Sequence, residues 1–134
     1  MTLQFGATLR NNQANQLEST VGTSPKLQIR TGAPPADCAA ADIGTLLCEI
    51  TLPSDWMGAA SGGVVAKSGT WQGTAGAGGT AGHWRLKDSA GTTTHAQGTI
   101  TGTGGGGDMT LDNTSIANAQ TVTISSFSYT RGNA

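Results

Sequence analysis

The sequence predicts a mostly β protein, an antiparallel β-sandwich or jelly roll with a short N-terminal helix or arm. Three observations carry this. Gly (21), Thr (21), Ala (18) and Ser (10) supply 70 of the 134 residues, a composition suited to short strands with half-exposed faces and tight turns. Residues 27/29, 46–52, 84/86 and 122/124 alternate apolar with polar neighbours, as strands with one buried face do. Clusters of Gly, Pro, Ser and Asp then divide the chain into seven or eight such strands. The length suits one domain, so residues 1–22 are assigned to the helix or arm and 23–134 to a single β-sandwich.

Residues 7–21, ATLRNNQANQLESTV, contain no Gly or Pro and are rich in Asn and Gln. Leu9, Gln13, Gln16, Leu17 and Val21 follow helical spacing loosely, so the segment reads as a short helix ending at Gly22, or as an arm that orders only against a partner. In 26–31, Leu27 and Ile29 point inward while Lys26, Gln28 and Arg30 form a solvated face. Gly32, Pro34 and Pro35 end that strand and open a loop. Residues 46–52 form the clearest strand, with Leu46, Cys48, Ile50 and Leu52 on one face, and Trp56 and Met57 plug one end of the core. The Gly-rich middle, 58–82, is expected to hold two weakly specified strands, around 64–68 and 70–74. Residues 83–101 read as a β-hairpin turning at Ser89-Ala90-Gly91, with Trp84 and Leu86 inward and His83, Arg85 and Lys87 outward. A flexible connection at 102–107 leads to the last strand, 120–130. There Val122 and Ile124 lie on one parity and Phe127 and Tyr129 on the other, which predicts a β-bulge near Ser125-Ser126.

Composition also excludes classes of function. Seven Lys+Arg against eight Asp+Glu give a formal charge of −1, without the basic patch that nucleic acid or an anionic membrane requires. No apolar run approaches the roughly 18 residues needed to span a bilayer. The start lacks the basic and apolar regions of a signal peptide, so the expectation is a soluble protein made in a cytoplasm.

Candidate chemistry is sparse. Cys38 and Cys48 are expected as reduced thiols, and a zinc site would need both of them together with His83 and His95. The glycines of 102–107 precede Asp108 rather than the Lys and Ser/Thr of a phosphate loop. Asp108, Asp112 and Asn113 lack the spacing and late Glu of a calcium loop. His83 and His95 fall outward on adjacent strands and could approach each other, but no nucleophile and orienting carboxylate accompany them. Trp56, Trp71 and Trp84 could stack on sugar rings, although a core this short of bulk calls for them inside. No catalytic, cofactor-binding or metal-binding residues are assigned, and the chain is read as not an enzyme.

The segment 73–82 with its following hairpin, and the run Gly107-Asp108-Met109-Thr110-Leu111-Asp112-Asn113-Thr114-Ser115-Ile116-Ala117 leading into Gln120-Thr121-Val122-Thr123-Ile124, resemble a family of small tailed-phage and prophage structural proteins. Leu9-Arg10-Asn11-Asn12-Gln13 and Leu52-Pro53-Ser54-Asp55-Trp56-Met57 resemble it as well. The resemblance covers nearly the whole chain, and its motifs are structural. It implies a virion protein assembled in the bacterial host cytoplasm, of the capsid decoration or cement kind. The implied partners are the major capsid protein or other virion proteins, with homo-oligomers in the particle. A tail or neck component and a carbohydrate-binding module are the alternatives.

Overall fold

The computed structural model describes residues 3–132. One helix precedes nine strands: α1 (Ala7–Val21), β1 (Lys26–Thr31), β2 (Leu46–Thr51), β3 (Val64–Ala66), β4 (Gln72–Thr74), β5 (Gly79–Lys87), β6 (Thr94–Gly102), β7 (Met109–Leu111), β8 (Ser115–Ile116) and β9 (Thr121–Thr130). The strands form one sheet in the order β2-β1-β5-β6-β7-β9-β3, with β4 also paired to β9 and β8 to β5. The sheet curls until β4 lies beside β2. There Gly76 N donates to Leu47 O at 2.8 Å, and Gly73 packs against Ile50 and Cys48. The mostly β fold with its N-terminal helix is as predicted, in a barrel-like form.

The alternating residues fill the inside of the curl. Leu27, Ile29, Cys48, Ile50, Trp84, Leu86, Ile100, Val122 and Ile124 are all buried, each large side chain contributing about 1.5–3 kcal/mol by leaving water. A chain of rings crosses this core: Trp56 to Trp71 at 6.0 Å between centroids, Trp71 to Phe127 at 5.8 Å, and Phe127 edge-on to Trp84 at 5.3 Å. Each indole N–H reaches a carbonyl, of Gly22, Ser68 and Thr99 respectively, so the rings are buried without orphaned donors.

The predicted bulge lies at Ser125. Thr110 pairs with Ser126 and Leu111 with Ile124, so Ser125 is the extra residue that lets Ile124 and Phe127 both face inward. A second bulge corrects the reading of β2. Ile29 pairs with Cys48 but Arg30 with Leu46. Leu47 is therefore the inserted residue and is buried, while Leu46 is turned outward. Strict alternation placed Leu46 inside because an inserted residue inverts parity without any mark in the sequence.

The sheet is also not wholly antiparallel, since β7 runs parallel to β6, with Ile100 beside Met109 and Gly102 beside Leu111. Parallel neighbours ordinarily need a dozen or more connecting residues. Here residues 103–108 suffice because the paired stretch is short and the return is glycine. Gly104 and Gly106 adopt φ of 84° and 82°, and the Gly107 N–H bonds to the Thr101 hydroxyl at 3.0 Å. Asp108 Oδ2 closes the loop by accepting from Thr99 N at 2.9 Å. The run at 102–107, expected as a flexible connection, is thus folded back on β6.

Helix α1 explains its own polarity. Asn11, Asn15 and Glu18 share one face, at spacings of four and three, and their side-chain oxygens accept from the backbone N–H groups of Gly63, Ala60 and Met57. Arg10 donates to Gly62 O at 2.8 Å. Only Ala14 and Val21 of the helix are buried. The helix therefore docks on a strap of irregular backbone, residues 57–63, through hydrogen bonds worth about 1 kcal/mol net each. On its other side the strap bonds to β3, Gly58 N to Ala66 O at 2.9 Å and Ser61 N to Val64 O at 3.0 Å. An otherwise open sheet edge is covered twice in this way.

Candidate functional site

The polar face of β1 and β5 is the most organised cluster of ionisable groups. Strand alternation puts Gln28 and Arg30 of β1 and His83, Arg85 and Lys87 of β5 on the side opposite the core, and pairing brings Arg30 beside His83 and Gln28 beside Arg85. Sequence reasoning left this face in water. The structure corrects that: His83 is 0%, Arg85 1% and Lys87 6% exposed. Residues 32–45, the connection from β1 to β2, fold over them. Alternation fixes which side a residue faces, but what covers that side is decided by a loop distant in sequence.

Arg85 fastens the cover. Its Nη1 donates to Ala40 O at 3.0 Å and to Asp42 Oδ1 at 2.5 Å, and its Nη2 donates to Cys38 O at 2.9 Å and, at 3.4 Å, to Asp37 O. Asp42 is shared by three cations, with Lys87 Nζ at 2.6 Å and Arg30 Nη2 at 3.2 Å in addition to Arg85. Arg30 Nε donates to Gln28 Oε1 at 3.0 Å, and Gln28 Nε2 to Glu49 Oε2 at 2.9 Å, which carries the network to β2. His83 Nδ1 lies 2.9 Å from Gly32 O. A carbonyl only accepts, so Nδ1 carries the proton. His83 Nε2, Arg85 Nε and Gln97 Oε1 are buried with no hydrogen-bond partner among the described residues, a cost that offsets part of what the clamp gains.

Beside the clamp is a cavity of about 640 Å³, lined by Cys38, Asp42, Arg85, Lys87, Thr92 and Thr94 among others. Its charged groups are committed to one another. The Arg85 guanidinium is spent on loop carbonyls and Asp42, and the Thr92 hydroxyl donates to Asp88 Oδ2 at 3.2 Å within an exposed turn in which the same carboxylate also accepts from the Thr92 N–H. Burial first, and then the charge of Glu49, push the Cys48 thiol up, which keeps it in the unreactive protonated form. Among the described residues no group of three or more His, Cys, Asp or Glu could hold a metal ion.

The remaining candidates are dispersed. His83 stands opposite Thr99, whereas His95 lines a separate groove of about 570 Å³ between α1 and the sheet, with Leu17, Trp84, Phe127 and Tyr129. The two histidines are not brought together. Trp56, Trp71 and Trp84 are buried, so none offers a ring face to a sugar. Asp108 ties the glycine loop, and Asp112 accepts from Asn113 N. Asp42, which sequence reasoning passed over, had one available signal: Arg30, Arg85 and Lys87 occupy the polar parity of two strands in a chain with only seven basic residues.

The clamp predicts an acid response. Burial alone pushes the Asp42 carboxyl up, but hydrogen bonds from Lys87 and Arg85 and the charges of Arg30 and Lys87 outweigh it and hold the group below its ordinary 3.8. The folded state therefore binds this proton more weakly than the unfolded state. The stability from Asp42 is complete above about pH 4 and is lost as pH falls through the lower native value. Asp88, held down chiefly by the Thr92 N–H, acts in the same direction. Glu18, raised first by burial and then by Asp55 against the Met57 N–H, acts oppositely: its charged form costs stability above its native value, and the cost disappears below 4.5. Melting points measured from pH 3 to 7 should fall at the acid end, and Asp42→Asn should lower the neutral value and flatten that fall. An equally steep fall in Asp42→Asn would remove Asp42 as its cause.

No protein-family model, curated protein or solved structure matches the chain.

Proposed function

We propose that this chain is a non-enzymatic structural protein of a tailed-phage virion, a capsid decoration or cement protein that stabilises the head by binding between capsid subunits. The resemblance of its sequence motifs to small phage structural proteins supports the class. The observation that carries the reading is the pair of apolar side chains displayed at the clamp. Ile43 is 48% and Leu46 36% exposed, and both lie within four residues of Asp42. Large aliphatic side chains left in water on a rigid mount lower the free energy when a neighbour covers them, at about 25 cal/mol per Å² of apolar surface. Many copies on one shell make such modest contacts effective together.

The test is occupancy on particles. Ile43→Ser with Leu46→Ser should reduce the bound copies severalfold while leaving the melting point near the parent's, because neither side chain belongs to the core. Full occupancy of the double variant would refute this contact. A tail or neck location would place the same contact on a different partner, and gold labelling of intact particles separates head from tail.

A further inference from the structure

We propose that the seat of α1 is also an interface between copies of this chain: helix 7–21 of one molecule occupies the strap 57–63 of a second, and the two exchange helices. The inference concerns the free protein and does not depend on the virion reading.

Three observations lead to it. The seat is polar. Asn11, Asn15 and Glu18 accept from the N–H groups of Gly63, Ala60 and Met57, and Ala14 and Val21 are the only buried helix residues. Released polar groups of this kind are readily taken up by water, and the apolar surface of Ala14, Leu17 and Val21 that undocking uncovers is covered again on the second body. An isolated segment of about 15 residues is marginal in water even where, as here, Ala, Leu, Arg, Gln and Glu make up half of it. It gains order on a seat, whether its own or a neighbour's.

The hinge supplies the bias. Between α1 and β1 lie Gly22, Thr23, Ser24 and Pro25. Both ends are fixed: Gly22 O accepts from Trp56 Nε1 at 2.9 Å, and Pro25 O from Leu52 N at 3.0 Å. Ser24 between them has φ of 47°, the left-handed region that residues with a Cβ adopt rarely. Closing the helix onto its own body requires that turn. Docking it on a second body lets the hinge extend and Ser24 leave it, and short strained hinges favour exchange of this type. Every helix-to-strap contact is the same in both arrangements, so the hinge and the concentration decide between them. A short linker holds its helix at an effective concentration of about 1 mM, so exchange competes where copies are crowded to that level.

Two chains test this in a Cys38→Ser background, one carrying Ser19→Cys and the other Ala59→Cys. Ser19 of the helix and Ala59 of the strap line the same cleft. The two chains are mixed at about 1 mM and treated with a short bismaleimide. A link between positions 19 and 59 can then form only between molecules, because neither chain holds both thiols. The expected result is a linked dimer whose yield rises severalfold with Ser24→Pro, since the ring forbids positive φ, and falls severalfold with Ser24→Gly, which relieves the turn. No linked dimer from Ser24→Pro chains with intact tryptophan packing would overturn the proposal. A yield indifferent to both hinge substitutions would overturn it too, as it would report side-by-side collision. If Ser24→Pro does not fold, the parent and Ser24→Gly decide: a parent without dimer, or equal yields, overturns it.

Discussion

Arg85→Ala should lower the stability of the protein by about 3–5 kcal/mol, the range for removing one partner of a buried ion pair. In a chain of this length that is a fall in melting point of roughly 10–20 °C. The side chain is 1% exposed, and its loss removes the donors to the carbonyls of Asp37, Cys38 and Ala40 together with the pairing to Asp42. Arg85→Lys should recover little, because an ammonium cannot span that arc of acceptors as a planar guanidinium does. Loop 32–45 should then open. It contains five alanines, so elastase, which cuts after small residues, should cleave it in the variant well before the parent. A melting point equal to the parent's, with the loop still resistant, would show that the cover holds without the clamp. Since Ile43 lies in this loop, Arg85→Ala should also weaken attachment to particles, although it leaves that side chain in place.

Gly82→Ala is the second large effect expected. An added Cβ would lie 2.3 Å from Gly32 O and 2.8 Å from Gly32 N, both backbone atoms that cannot rotate away. Gly82 is the inserted residue where the β1–β5 register shifts, between the pairs Arg30–His83 and Thr31–Ala81. Displacing Gly32 would also break the contact from His83 Nδ1, whose ring is fully buried. Overpacking and a lost buried hydrogen bond together suggest a cost of about 3 kcal/mol or more. Gly76→Ala is the control, as its Cβ meets nothing within 4 Å, and it should change the melting point little. Equal effects from the two substitutions would show that the close approach at Gly32 is not what requires glycine at 82. Chemical denaturation of both variants measures the difference.

Much of the fold was legible because it rests on rules local to a strand. Leu27 and Ile29, Trp84 and Leu86, and Val122 and Ile124 alternate with polar residues, and all six are buried. The parity change between Ile124 and Phe127 located the bulge at Ser125, since two buried faces on one strand require an extra residue between them. The helix was legible from the absence of Gly and Pro in residues 7–21, but its reason for being polar was not. Asn11, Asn15 and Glu18 bond to backbone N–H groups of residues 57–63, and such a partner leaves no side-chain pattern of its own. Leu46 failed for a related cause: the insertion at Leu47 lies in the pairing with β1, not in the composition of β2.

The sequence by itself determined that this is a β protein with an N-terminal helix or arm, which strand faces are apolar, and where one strand must bulge. Those properties depend on residue order over a few positions, because backbone geometry repeats every two residues in a strand. Only the tertiary structure decided what lies over the polar faces. Arg30, Arg85 and Lys87 became a buried clamp on Asp42, and the glycines of 103–107 became a parallel return, through contacts between segments that share no local pattern. Alternation sorts residues by side. Whether the polar side meets water or a folded loop depends on where the rest of the chain can find partners for its own polar backbone.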